Sequence, residues 1–380
     1  MRVTSLRAIM VWIVLALGLI VGGCGGAAGQ PPAQGTAAKS SGPEATKPAA
    51  AAQQAPAGQP AASGQVIQLR LQNHEQQNAA NSQAFQRWAD QVGQKTNGKV
   101  KITVYHAETL GKGMDAYPMV LNGIADLAWV VVPFFPGQFP LTEVSSLPMI
   151  GVTSSKVGGA AMADLYQQNA QMQKEWSSVH VITLFTSGEY HLGTKKQVAK
   201  LDDVKGLRIR AAGWGMTEML KRGGANPITM APAELYDSLS KGVIDGVIGD
   251  WQIMQANRLQ EVLNYATNMA VGAAPQAFIM NKQKWESLPP DVQQVINEMS
   301  GKWASQFLGE AFDSVGPTFK ENFTKANKQI TEISPQEQAA WLEAIKPVWN
   351  DWVAMVNSKG LDGKTALEQM QAALAKNKGS

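Results

Sequence analysis

Arg210 stands at the end of the strand-like run Leu207-Arg-Ile-Arg210, within Gly206–Ala211, so it falls where the crevices of α/β sheets open. A guanidinium there can hold a carboxylate through two parallel hydrogen bonds, far more strongly in a dry cleft than in water. Arg208, two residues earlier on the same face, reads as a structural or surface residue. Aromatic residues fall at or near other strand ends: Trp129, Trp214 between Gly213 and Gly215, Trp251, and Phe278 in the apolar run 276–280. Together they would wall a pocket with broad apolar faces. Asn73 and His74 follow the first strand and can either contact a ligand or cap their own turn.

Other chemistries lack their residues. His74-Glu75-Gln76-Gln77-Asn78 begins like H-E-x-x-H, but Asn78 stands where zinc needs its second His. There is no G-x-G-x-x-G after a strand, no phosphate loop and no G-x-S-x-G elbow. One Cys and four scattered His exclude a disulfide framework and a His-rich metal centre. A formal net charge of +3 gives no electrostatic footprint for nucleic acid. Nothing pairs a nucleophile with a base, so an enzyme is not expected and no cofactor is called for.

The elements that must position these residues alternate between strand and helix. Val66–Leu71 and Val100–Val104 alternate apolar and polar positions, and Ala84, Phe85, Trp88, Ala89 and Val92 share one helical face closed by Gly98. Asp126–Val132 is nearly all apolar, as a strand covered on both faces is. The grammar then repeats, with a strand at Gly206–Ala211 and helices at Met216–Arg222 and Pro232–Lys241. Gly123-Ile-Ala-Asp126 and Gly242-Val-Ile-Asp245 each read as a helix stop, two apolar residues and an Asp opening a strand. Matching turns in successive blocks predict two similar lobes. Pro290 to about Asn327 reads as one long helical stretch, and Ser334-Pro335-Gln336-Glu337 starts another that carries Trp341, Trp349 and Trp352 as packing residues.

Ahead of the folded part, Arg2 and Arg7 precede the uncharged run Ala8–Val21, which is too short to span a bilayer but fits a signal peptide. It ends in Ile20-Val-Gly-Gly-Cys24, which resembles a bacterial lipobox, so residues 1–23 are expected to be removed and Cys24 lipidated. In residues 25–64, 32 of 40 positions are Ala, Gly, Pro or Gln. No apolar face forms there, and the expectation for 24–64 is a lipidated Cys and a disordered tether. The folded part would then stand at the extracytoplasmic face of a membrane, held by its lipid.

Over about residues 66–350 the chain resembles the solute-binding proteins of tripartite ATP-independent periplasmic (TRAP) transporters, of the DctP type. The matching segments are Lys95-Thr-Asn-Gly-Lys-Val-Lys-Ile-Thr-Val-Tyr105, Leu110-Gly, Gly123-Ile-Ala-Asp126, Leu147-Pro148, Leu201-Asp-Asp-Val-Lys-Gly-Leu-Arg-Ile-Arg210, Gly224-Ala225, Ala233-Glu234-Leu-Tyr236, Leu239 and Gly242-Val-Ile-Asp-Gly246. The resemblance implies a two-lobed α/β fold with mostly parallel sheets and a long helix spanning both lobes. Residues 65–186 with 275–314 would form lobe 1, and 187–274 with 315–376 lobe 2. It implies a receptor that captures a small organic acid between closing lobes and passes it to small and large membrane subunits. A membrane-anchored sensory or interaction lipoprotein on the same fold is the alternative.

By the same resemblance, Arg210 occupies the family's carboxylate-binding position. Many relatives have a second Arg where this chain reads Ser187-Gly-Glu-Tyr-His191, so Tyr190 or His191 stands near that place. In some, a Glu-Trp pair after the Asp-Gly turn helps hold a cation beside the ligand. Here Gly249 precedes Asp250-Trp251, displaced by two residues, and a solvated or hinge Asp250 is the other reading. One Arg and several aromatics imply a monocarboxylate with an apolar or aromatic part.

Overall fold

The computed structural model describes residues 66–379; the expected signal peptide, Cys24 and the tether lie outside them. The first block comprises β1 (Ile67–Gln72), α1 (Ala80–Lys95), β2 (Val100–Tyr105), α2 (Ala116–Leu121), β3 (Leu127–Val131), α3 (Ser155–Gln168), α4 (Ala170–Glu175) and β4 (Val179–Thr186). The second comprises β5 (His191–Thr194), β6 (Arg208–Arg210), α5 (Trp214–Arg222), β7 (Asn226–Ile228), α6 (Leu235–Ser240), β8 (Gly246–Gly249), α7 (Trp251–Ala256) and β9 (Tyr265–Asn268). Then follow β10 (Pro275–Asn281), α8 (Lys282–Glu286), α9 (Pro290–Glu298), α10 (Gly301–Asp313), α11 (Val315–Lys325), β11 (Gln329–Glu332), α12 (Pro335–Ser358) and α13 (Gly363–Asn377).

The strands form two sheets, ordered β2-β1-β3-β10-β4 and β11-β9-β5-β8-β6-β7. β1 pairs in parallel with β2 and β3, as β6 does with β7 and β8. The sheets are more mixed than expected, because β10 and β5 run antiparallel to their neighbours. The connection explains this. The chain passes from β4 to β5, and from β9 to β10, without a helical crossover, so each strand enters its sheet at the edge where the parallel strands end.

The repeated turn is a repeat of side-chain contacts as well. Asp126 Oδ2 accepts from the backbone N–H of Arg70 (2.8 Å) and from its Nε (3.1 Å). Asp245 Oδ2 accepts from the same groups of Arg208 at 2.9 and 3.0 Å. In return the N–H of Asp126 donates to Arg70 O, and that of Asp245 to Arg208 O. Arg208 is therefore structural, and it corresponds to Arg70.

Phe85, Trp88 and Val92 of α1 pack with β1, β3, β10 and α10 on one face of the first sheet, and α3 and α13 cover the other. Instead of one helix over 290–327 there are three. Gly301, the first residue of α10, takes a left-handed conformation (φ 59°) and breaks the course of α9. Pro317, which has no N–H to donate to Asp313, accompanies the break at Ser314 between α10 and α11. α10 lies on α1, α3 and β4, while α11 lies on α7 and β11, so the bent pair still reaches both sheets. The expected second-lobe segment 315–376 is divided between two cores. Trp341, Ile345 and Val348 of α12 join the cluster under the second sheet, whereas Trp352, Val356 and α13 join that of the first.

Candidate functional site

Arg210 closes β6 with only 2% of its surface exposed. Its Nε lies 3.4 Å from Met230 O and its Nη1 3.5 Å from Ile248 O, both at the outer limit of hydrogen bonding. No ion pair to it forms among the described residues. Burial pulls its pKa down, while Tyr190 and Asp250 nearby favour the charge. A buried guanidinium with such weak partners is set to receive an anion.

Asp250 caps α7 by accepting from Ile253 N–H at 2.7 Å. Burial raises its pKa to about 6, against the pull of Ile253 N–H, Ser187, Arg210 and Gly188 N–H. The carboxylate already serves the chain, which places Asp250 at a structural turn beside Arg210. Among the described residues no group of three or more His, Cys, Asp or Glu is placed to hold a metal ion. Gly249, just ahead of it, has room only for hydrogen, since a Cβ there would lie 2.5 Å from Ile253 Cγ2. Tyr190 is buried and its phenol is pushed up, first by burial and then by Asp250, so it is a neutral hydroxyl beside Arg210 and Ser187.

His191 takes no place beside Arg210. Its ring stacks on Trp251 at 4.0 Å, its Nδ1 accepts weakly from Met269 N–H (3.4 Å), and its Nε2 faces Glu189. Burial lowers its pKa, against Glu189. Trp251 stacks in turn on Phe319 and lies under Lys320, which leaves it 6% exposed. Phe278 is enclosed edge-on by Phe85 and Trp88. Both aromatics serve core packing, because helices α1 and α11 close over the faces that strand position alone left open. Trp129 stacks on Phe85, meets Phe312 edge-on at 5.9 Å and the His74 ring at 4.1 Å, and donates from Nε1 to Gln276 Oε1 at 2.8 Å, so it too is buried. Trp214, the first residue of α5, is half-buried and touches the cores of both sheets.

From the first sheet come Asn73 and His74. Asn73 Oδ1 accepts from Glu75 N–H (2.9 Å), which is the local turn, and its buried Nδ2 has no partner among the described residues. Burial lowers His74 to about 4, so it is neutral, and its Nδ1 is also without a partner. Gln72, the last residue of β1, donates from Nε2 to Gly111 O at 3.2 Å, while its Oε1 is buried and unpartnered.

Two acids complete the cleft. Glu143, in the short 3-10 turn Thr142–Ser146, accepts from Ser146 Oγ (2.9 Å), and burial pushes it up to about 7. It faces the other lobe: a Cβ on Gly213 would lie 3.6 Å from its Oε2, and one on Gly215 only 2.4 Å from Ser146 O. Glu75 is also raised to about 7, by burial first and by Asp250 and Glu108 besides, with Gln252 opposing. Sequence reasoning missed Glu143 and Ser187. A lone acid inside the apolar stretch 139–152 was the available signal for the first; Ser187 had none.

The arrangement is one guanidinium among acids that burial drives toward neutrality, between two lobes. It can hold a small anion and exclude water.

Comparison with known proteins gives the same answer. Residues 72–355 match the family described as DctP, bacterial extracellular solute-binding protein, family 7. The C4-dicarboxylate-binding periplasmic protein DctP of Rhodobacter capsulatus is 25% identical over 70% of this chain and 80% of its own. A TRAP solute-binding protein from Rhodoferax ferrireducens, with copurified benzoate, superposes with a TM-score of 0.79 at 26% identity, covering 83% of this chain and 99% of the other. A marine-metagenome TRAP solute-binding protein specific for aromatic acids, with metahydroxyphenylacetate, gives 0.77 at 27% identity, covering 82% and 99%. The match over most of the folded chain, on this two-lobed architecture, shows that the chain belongs to the DctP family and is an extracytoplasmic solute-binding receptor of the TRAP type.

Proposed function

We propose that the receptor captures a small monocarboxylate with an apolar or aromatic part, held by its carboxylate on Arg210, and delivers it to the small and large membrane subunits of a TRAP transporter. The observation that carries this is Arg210 itself, buried at a strand end with two long contacts to carbonyl oxygens and no ion pair among the described residues. Tyr190 stands where a second cation would be needed, so a second ligand carboxylate would lose its water without a fork to meet it. The apolar part would meet Trp214 and the His74 ring that covers Trp129, rather than the buried Trp129, Trp251 or Phe278, with Asn73 Nδ2 donating to a polar atom. Relatives holding benzoate and metahydroxyphenylacetate support the choice. Closure over the ligand removes water from the Arg210 pair and gives the membrane subunits a shape to recognise. Residues 1–23 act as a lipoprotein signal peptide, and Cys24 is the lipid anchor.

Isothermal titration of the purified protein with phenylacetate, benzoate and succinate tests the reading. An aromatic monocarboxylate should bind more tightly than succinate. Arg210→Lys should weaken binding, and Arg210→Ala should weaken it by about 2–5 kcal/mol, while Arg208→Ala leaves affinity within about threefold. Tighter binding of succinate, or indifference to Arg210→Ala, would overturn it.

A further inference from the structure

The duplicated Arg–Asp turn aligns the two lobes residue by residue. Arg70 corresponds to Arg208 and Asp126 to Asp245, so two residues further along the strands Gln72 corresponds to Arg210. The ladders agree. Gln72 is opposite Ala128 in β3, two residues after Asp126, and Arg210 is opposite Val247 in β8, two residues after Asp245. The side chains agree too. Arg210 Nε reaches Met230 O in the loop leaving β7, and Gln72 Nε2 reaches Gly111 O in the loop leaving β2, the equivalent neighbouring strand. Each side chain therefore comes off the last residue of its central parallel strand and reaches the loop at the cleft edge of its own sheet.

Gln72 differs from Arg210 in charge and in what it leaves over. It is 0% exposed. The bond to Gly111 O must come from the amide nitrogen, since two carbonyl oxygens would repel, and this sets which end of the amide is free. The free end is Oε1, a buried acceptor with no donor among the described residues. A buried carbonyl left without a donor is costly, so a ligand that supplies one recovers that loss on binding.

We propose that Gln72 is the first lobe's ligand-reading counterpart of Arg210, and that its Oε1 accepts a hydrogen bond from a neutral donor, a hydroxyl or N–H, on the part of the ligand away from the carboxylate. This rests on the proposed carboxylate site and narrows it: the preferred monocarboxylates carry such a donor, and analogues without one bind less tightly. The discrimination is a gain, because an analogue lacking the donor leaves Oε1 as unpaired as it is in the ligand-free protein.

The experiment compares phenylacetate with 3-hydroxyphenylacetate and 4-hydroxyphenylacetate by isothermal titration on wild type, Gln72→Leu, Gln72→Met and Arg210→Ala. Wild type should bind at least one hydroxylated acid about tenfold more tightly than phenylacetate, equivalent to about 1.4 kcal/mol. Both Gln72 variants should lose that ratio while holding phenylacetate within about threefold of wild type. Having two variants of similar volume guards against a packing defect, and a melting curve confirms that each is folded. Equal wild-type affinity for all three acids, or a preference that survives in both Gln72 variants, overturns the role of Gln72 and leaves the carboxylate site standing. Binding of all three acids unaffected by Arg210→Ala, or no binding at all, overturns the carboxylate reading and this inference with it.

Discussion

Glu75, Glu143 and Asp250 share one cleft with a single guanidinium, and burial moves all three carboxyls upward, to about 7, 7 and 6. Each is easier to protonate in the folded protein than in the unfolded chain. For Glu143 the stabilising contribution is complete below the ordinary value of 4.5 and is lost as pH rises through about 7. The melting temperature should therefore fall between pH 5 and 8. Glu143→Gln keeps an acceptor for Ser146 and removes the titration, so it should flatten that fall and raise the melting temperature at pH 8 by roughly 2–4 °C, the shift that about 1 kcal/mol produces in a domain of moderate size. A slope identical to wild type would show that Glu143 is ionised in the folded protein. At this scale the sequence was legible where a residue's role follows from its strand position. Arg208 and Arg210 lie on one face two residues apart, and only the latter reaches the strand end. The roles of Trp251 and Phe278 were not legible, because what covers an aromatic ring comes from helices remote in the chain, Phe319 in α11 and Phe85 in α1.

Among the elements, α5 and the turn Thr142–Ser146 bring the backbones of the two lobes into direct contact. Gly215 lies in the first turn of α5, where Ala would ordinarily favour the helix by up to about 1 kcal/mol. Here the added methyl would sit 2.4 Å from the carbonyl oxygen of Ser146, and backbone cannot step aside as a flexible side chain would. The clash should win. Gly215→Ala is expected to destabilise the protein by about 1–3 kcal/mol or to prop the lobes apart and weaken ligand binding, read as a lowered melting temperature or a raised Kd. A variant at least as stable as wild type with unchanged Kd would show that the two backbones separate freely. The elements themselves followed from periodicity and turn residues: β1, β2 and β3 lie within a residue or two of expectation, and α1 buries the expected face of Ala84, Phe85, Trp88, Ala89 and Val92. The antiparallel course of β5 and β10 did not, because strand direction is set by which sheet edge the chain enters, and no local pattern records that. The same holds for α9, α10 and α11, whose apolar faces continue through breaks at Gly301 and Ser314.

For the molecule as a whole, the duplication visible in two Gly-x-x-Asp turns extends to matched Arg–Asp contacts and to the paired positions of Gln72 and Arg210. Its two halves are alike in framework and unlike in charge. The proposed lipid anchor belongs to this scale as well. The wild type should sediment with membranes after cell lysis and Cys24→Ala should appear in the soluble fraction; unchanged fractionation would remove Cys24 as the anchor.

The last helix has a mechanical consequence. α13 lies on α3, where Asn169 Nδ2 donates to Gln369 Oε1 (2.9 Å), and Asp164 takes Lys376 and Asn377 at 3.1 Å each. The described chain thus begins in β1 of the first sheet and finishes on a helix packed against that same sheet's core. Both ends hold one half, and neither holds the other. Closure over a ligand would therefore move the Arg210 half relative to the half in which both described ends are packed. What a partner at the membrane would read is the relative position of the two halves, whichever way the whole body is turned.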